Sequence, residues 1–230
     1  ASFQTNVVGT YHVLEAARIL GVKKVTFSST LATYGLDIRE AVVDDYTLQR
    51  PNLFYGCTKV FVELMGRFYK RKFGIDFRGV RYPAIIGPGV KTPGVVQYYP
   101  WAIEHAYRGL PFKIWVTPEF RASAMYYKDA ALGIIRCAEA PPENIKMGVY
   151  ILGAIFLSAQ ELVDHIKKFI PAARLEFEPD MKILEVIKHL QKPTDDRCAR
   201  EEFGWASQYP IERTIQDFIK ELRENPEMYR

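Results

Sequence analysis

From Val7 to Leu20 apolar residues return at helical spacing, with Val13, Leu14, Ala17 and Leu20 on one stripe and Gly21 directly after. This predicts a helix that stops at the glycine. The pattern then changes. Lys24 to Ser29 is a short run of β-favouring residues and predicts a buried strand. Thr30 to Arg50 is polar, carries acids and predicts a loop, while Asn52 to Phe73 has the pattern of a long helix closed by Gly74. Asp76 to Ile86 predicts a second strand running into Gly87-Pro88-Gly89. Strands separated by helices of this length predict parallel β-α-β units, and therefore an α/β protein.

Beyond Gly87 the alternation breaks into turns and one helix, Tyr99 to Arg108, followed by a helix over Asp129 to Ala138 and a strand over Val149 to Leu152. Ser158 and Glu161 have the spacing of a capping box for a helix reaching Phe169, with Pro171 as its stop. A strand, Arg174 to Phe177, and helices near Lys182–Leu190 and Glu212–Leu222 complete the chain. The residues from about 155 onward are expected to form a smaller α/β lobe.

Composition narrows the function classes. The 230 residues are 48% hydrophobic and 25% charged, the profile of an ordinary globular protein. The net charge of +4 is small, and the one basic run, Lys70-Arg71-Lys72, falls where a helix C-terminus favours cations, so no nucleic-acid partner is expected. No apolar run approaches the roughly 18 residues of a membrane span, so no membrane partner is expected either. Three widely spaced cysteines, Cys57, Cys137 and Cys198, suggest neither a disulfide framework nor a zinc site; a reducing, cytoplasmic setting is the expectation. Cys57 is expected to be a buried, inert thiol. His12, His105, His165 and His189 are scattered, and no metal site is expected. Tyr98, Tyr99 and Trp101 are expected to pack in a core in preference to lining a substrate pocket.

The chemistry concentrates in Tyr55-Gly56-Cys57-Thr58-Lys59. A Tyr and a Lys four residues apart at a helix start share a face, and an ammonium near a phenol favours the phenolate, a general base for an alcohol. Thr30 ends the preceding strand in Phe27-Ser28-Ser29-Thr30-Leu31-Ala32-Thr33-Tyr34-Gly35, placed to bond a substrate oxygen at the carboxyl edge of a parallel sheet. Upstream lies Asn6-Val7-Val8-Gly9-Thr10, and downstream Arg81-Tyr82-Pro83.

Taken in order and spacing, N-x-x-G-T, F-S-S-T-x-x-x-Y-G, Y-x-x-x-K and R-Y-P resemble the extended short-chain dehydrogenase/reductases, also called NAD-dependent epimerase/dehydratases. That resemblance implies a Rossmann-like parallel sheet with a small α/β substrate lobe. The expected division is a partial nucleotide-binding domain over 1–87 and 124–155, and a substrate lobe over 88–123 and 156–230. It implies Tyr55 as general acid/base, Lys59 lowering its pKa and holding the nicotinamide ribose, Thr30 as hydroxyl partner and Asn6 as structural and relay residue. Ser28, Ser29, Tyr82, Pro83, Ala84 and Ile85 would line the cofactor. NAD is favoured over NADP by resemblance alone. The substrate would be a small alcohol or ketone, and a homodimer would form through helices 7–20 and 52–73. Within the family, Gly9 to Ala17, Arg81 to Ile86, Met125 to Ala130 and Phe203-Gly204-Trp205 are similar to the short-chain L-threonine dehydrogenase branch.

The chain also departs from these patterns. The family's glycine-rich loop is expected about 100 residues before Thr30, and 29 residues precede it here; the expectation is a fragment of a longer parent, with a catalytically silent module as the alternative. Val95-Val96-Gln97 stand where the threonine branch carries Thr-Thr-Asp, and an apolar pair cannot replace a hydroxyl and a carboxylate facing an ammonium group, which argues against L-threonine as substrate. Leu31 and Ala32 replace the Asp-Glu pair of sugar-nucleotide dehydratases. Ala84 replaces the Asn of the sugar-nucleotide epimerases, the other enzymatic alternative, and Arg121 is the candidate for a pyrophosphate contact.

Overall fold

Helix α2 (Phe54–Phe73) shows how the sequence sets the architecture. Its buried positions, Gly56, Thr58, Val62, Glu63, Gly66 and Tyr69, recur every three or four residues and form one stripe. At Gly66 a Cβ would lie 2.2 Å from the Phe77 ring, so only glycine lets the helix lie this close to the strand that follows. Gly74, at φ 71°, ends the helix by donating its N–H to the Lys70 carbonyl.

The computed structural model describes residues 2–153 and 155–229. One compact unit comprises Ala1–Pro83, Ala131–Leu152 and Thr194–Ala206. It starts with a π-helical turn, Phe3–Val8, that runs into α1 (Gly9–Ile19). Then come β1 (Lys24–Thr30), α2 and β2 (Asp76–Tyr82), with β6 (Val149–Ile151) added later in the chain. The strands run β1-β2-β6, all parallel. Leu14, Ala17, Val62, Tyr69, Ile75, Phe77 and Val149 form its apolar core. Burying side chains of this size contributes on the order of 2 kcal/mol each.

Thr194–Ala206, which the sequence reading ran on with the second lobe, packs with this first unit. Thr194 makes a parallel bridge to Val43, α7 (Arg197–Phe203) follows, and Trp205 is buried against Gly133.

The other unit comprises Ala84–Ala130, Gly153–Pro193 and Ser207–Arg230. It holds β3 (Ala84–Ile86), α3 (Tyr98–Tyr107), β4 (Phe112–Ile114) and β5 (Arg121–Tyr126). Helix α4 (Tyr127–Glu139) starts here and ends in the first unit's sequence. β7 (Ile155–Ser158), α5 (Ala159–Phe169), β8 (Leu175–Phe177), α6 (Met181–Ile187) and α8 (Ile211–Glu224) complete it. β3 pairs parallel and β7 antiparallel with β5, and β4 pairs parallel with β8. Tyr98 and Tyr99 are fully buried in its core, as their sequence reading expected.

The segment Asp76–Ile86, expected as one strand, is two. Pro83 has no N–H to offer a ladder, and the chain leaves one sheet at Tyr82 and enters another at Ala84. Among the described residues no helix is long and apolar enough to cross a membrane.

Candidate active site at the carboxyl end of the first strand

Strand β1 ends in extended geometry at Thr30, with φ −154° and ψ 153°, and a single 3-10 turn, Leu31–Thr33, follows. The Thr30 hydroxyl accepts from the Ala32 N–H at 3.2 Å. That leaves its own proton to donate, and the hydroxyl favours the charged form of the Tyr55 phenol. Tyr55 sits in the first turn of α2, whose N-terminus has no side-chain cap. The positive end of the helix is therefore presented beside the phenol.

The glycine between them is required by space. A Cβ on Gly56 would meet the Ala32 carbonyl oxygen at 2.0 Å, so the 31–33 turn can reach the start of α2 only against a residue without a side chain. Asn6, in the π-helical turn, donates to the Thr58 hydroxyl at 2.9 Å, and Thr58 donates to the Tyr55 carbonyl at 2.7 Å. This chain of bonds fixes the first turn of α2 from behind.

Lys59 lies one turn after Tyr55. Its ammonium donates to the Ser28 carbonyl at 2.9 Å and stands 4.6 Å from the centre of the Phe27 ring and 5.7 Å from that of Tyr55. The electrostatics differ from the expectation that Lys59 lowers the Tyr55 pKa. Partial burial pushes the Tyr55 phenol above its ordinary value, with the Thr30 hydroxyl acting against the rise. Burial lowers the Lys59 ammonium, opposed by the Glu63 carboxylate. The ammonium faces the Ser28 carbonyl and the Phe27 and Tyr55 rings.

The Ser29 side chain departs from its cofactor role. It points to the opposite side of β1 from Ser28 and Thr30, is 3% exposed, and donates to Glu63 at 2.5 Å. It joins a buried cluster in which Arg81 donates to Glu63 at 2.7 and 3.1 Å, to Asp45 at 3.3 Å and to the Tyr34 hydroxyl at 3.1 Å. The Ile151 N–H donates to Asp45 at 2.7 Å. Burial raises the Asp45 carboxyl to about 6, and the backbone N–H and Arg81 pull the other way. Neither Glu63 nor Asp45 was singled out from sequence. A charge on an otherwise apolar helix stripe, as at Glu63 between Val62 and Gly66, is the signal that marks such a residue.

Tyr82 closes β2, level with Thr30 in the strand register, with Pro83 directly after it, and burial raises the Tyr82 phenol. Ala84 and Ile85 lie in β3 of the second unit, opposite Ala124 and Met125. Val95 packs on that unit's core and its carbonyl accepts from the Trp115 indole at 2.8 Å; Val96 is half-buried. Gln97 caps α3, and its buried side-chain oxygen has no partner. Arg121 is engaged by Glu161 at 2.5 Å. Cys57 is exposed, correcting its sequence reading, because the face of α2 it occupies is turned outward. Among the described residues no group of His, Cys, Asp and Glu could hold a metal.

Residues 1–153 match the sequence pattern of the NAD dependent epimerase/dehydratase family. The mitochondrial L-threonine 3-dehydrogenase of Bos taurus is 28% identical over 211 residues, which cover 91% of this chain and 56% of the bovine protein. The chain thus spans about half the length of that relative. The crystal structure of L-threonine dehydrogenase from Phytophthora infestans superposes with a TM-score of 0.90 at 27% identity, over 96% of this chain and 72% of that one. The L-threonine dehydrogenase of Clostridium difficile gives 0.89 at 30% identity, over 96% and 70%.

Proposed function

The chain belongs to the NAD dependent epimerase/dehydratase family, and on that premise we propose that it carries the catalytic centre of a nicotinamide-dependent oxidoreductase acting on a secondary alcohol. The observation that carries the reading is the convergence of the Thr30 strand end, the first turn of α2 with Tyr55, and the Lys59 ammonium at the carboxyl edge of the sheet. Tyr55, as phenolate, takes the substrate's hydroxyl proton. Thr30 orients the same oxygen. The α2 N-terminus favours the anionic phenol over the neutral one, and Lys59 ties the Ser28 strand end to the same turn of the helix.

The donor set suits a nicotinamide nucleotide, NAD or NADP. An ammonium and the strand-end carbonyl of Ser28 lie at the carboxyl edge of a parallel sheet, and Tyr82 ends the neighbouring strand with Pro83 directly after it. When bound, that group supplies the hydride acceptor.

L-threonine dehydrogenases set the substrate class to test first. The test is reduction of NAD by the full-length protein across β-hydroxy amino acids, simple secondary alcohols and sugar nucleotides, alongside calorimetric NAD titration. Turnover of one alcohol class supports the reading. No turnover and no nucleotide binding would leave a silent module.

A homodimer and a cytoplasmic setting complete the proposal. Tyr11, Val13 and Ile19 on α1, and Phe61, Leu64 and Phe68 on α2, are exposed apolar side chains on two adjacent helices, and the three thiols form no disulfide. The Leu64→Glu/Phe68→Glu double variant is expected to halve the mass seen by light scattering. A monomeric wild type, or a variant that stays dimeric, would remove this interface.

A further inference from the structure

The last three residues of β1 all address α2, two of them by hydrogen bonds. The Ser28 carbonyl accepts from Lys59, the Ser29 hydroxyl donates to Glu63, and the Thr30 hydroxyl favours the charged form of the Tyr55 phenol. The outer two of these helix residues are the proposed chemistry. The middle contact is made by a carboxylate one turn beyond Lys59.

All of Glu63's acceptor capacity is taken up inside the protein. One oxygen receives the Ser29 hydroxyl and the Arg81 Nε; the other receives the Gln49 amide at 3.0 Å and the Arg81 Nη2. The Glu63 and Arg81 side chains are 3% and 7% exposed. Arg81 stands directly opposite Ser29 in the parallel register, so one carboxylate binds the helix to both strands at the same level. A buried pair of this kind adds little stability over apolar residues of the same volume, which would pack as well against Val62 and Gly66. What it supplies is a fixed, directional geometry, since an Arg fork and a carboxylate meet in one orientation.

We propose that Glu63 is a positioning residue of the reaction, holding the Ser28–Thr30 strand end and the Tyr55–Lys59 turn of α2 in register. This rests on the hydride-transfer reading above. The groups facing Glu63 are Ser29 from β1, Arg81 from β2, Gln49 from the loop and, along α2, Lys59. Beyond Arg81 lie Asp45 and Tyr34. The carboxylate also keeps the Lys59 ammonium charged against its burial.

The test compares Glu63→Gln, Glu63→Asp, Ser29→Ala and Tyr55→Phe in the full-length protein. Glu63→Gln is expected to lower kcat by about 10- to 100-fold, the scale of a small misplacement of reacting groups, with the KM for NAD little changed. Its alkaline limb of kcat/KM moves to lower pH, because Lys59 loses the carboxylate that holds its proton. The Lys59 titration, followed by NMR without cofactor, moves down with it, and Glu63→Asp restores part of kcat. Wild-type kcat with an unmoved limb and an unmoved Lys59 titration would overturn the proposal.

If Glu63→Gln does not fold, Ser29→Ala decides: it deletes one hydroxyl and leaves the ion pair. A drop in kcat of about threefold or more supports the proposal, and wild-type turnover overturns it. Tyr55→Phe separates the two levels. An active Tyr55→Phe variant sinks the reaction itself; an inactive one beside a wild-type-like Glu63→Gln sinks only the role of Glu63.

Discussion

Tyr55→Phe is expected to lower turnover by about a thousandfold or more, while NAD binds as tightly as to the wild type. The substitution removes one oxygen and keeps the ring, so the face presented to Lys59 survives and α2 keeps its packing. The atom lost is the only one on this side chain that can accept a proton. The pH profile adds a second reading. Burial sets the Tyr55 phenol above its ordinary value, so the wild-type rate should climb with pH as the phenolate is populated. The Thr30 hydroxyl opposes that rise. Thr30→Val deletes the hydroxyl, and the ascending limb should move to higher pH. Turnover that persists in Tyr55→Phe, or an ascending limb that Thr30→Val leaves in place, would mean that another group takes the proton.

The parts of this arrangement that were legible in the sequence are those governed by local rules. Ser158 and Glu161 signal a capping box by spacing alone, and both of its hydrogen bonds form at the start of α5. Gly74 ends α2 because it alone takes a left-handed φ without strain. The Tyr55-Lys59 spacing places both on one helix face, and Thr30 at a strand end follows from the pattern that predicts β1. What stayed hidden depends on the partner across space. Glu63 looks like any helix carboxylate until Ser29 and Arg81 are seen to converge on it. Nothing local tells whether Lys59 points at the Tyr55 oxygen or at the Ser28 carbonyl. β5, Arg-Ala-Ser-Ala-Met-Tyr, escaped notice because its small residues carry a weak strand preference; it forms because β3 and β7 pair with it on either side. α7 is short and polar, and its apolar anchor, Trp205, lies beyond its end.

The run Met125 to Ala130 contributed to the family resemblance, and the structure shows the work its two charged residues do within the second unit. Lys128 bridges Asp217 at 2.5 Å and Glu221 at 2.6 Å on α8. Asp129, fully buried, receives the Ser207 hydroxyl at 2.6 Å and the N–H groups of Gln208 and Tyr209 at 3.0 and 3.1 Å. These are the residues that lead the chain into α8, whose Thr214, Ile215, Phe218 and Leu222 are buried. Asp129→Ala leaves two backbone donors and a hydroxyl without their acceptor, at a cost of about 1–3 kcal/mol for each group that water cannot reach. The expected loss is about 4 kcal/mol, a fall in Tm of roughly 8–16 °C for a chain of this size. Asp129→Asn keeps one acceptor oxygen in place and should lose about half as much. A Tm for Asp129→Ala within about 2 °C of wild type, a shift worth no more than roughly 1 kcal/mol, would show that the segment leading into α8 is held by its apolar contacts and not by this carboxylate.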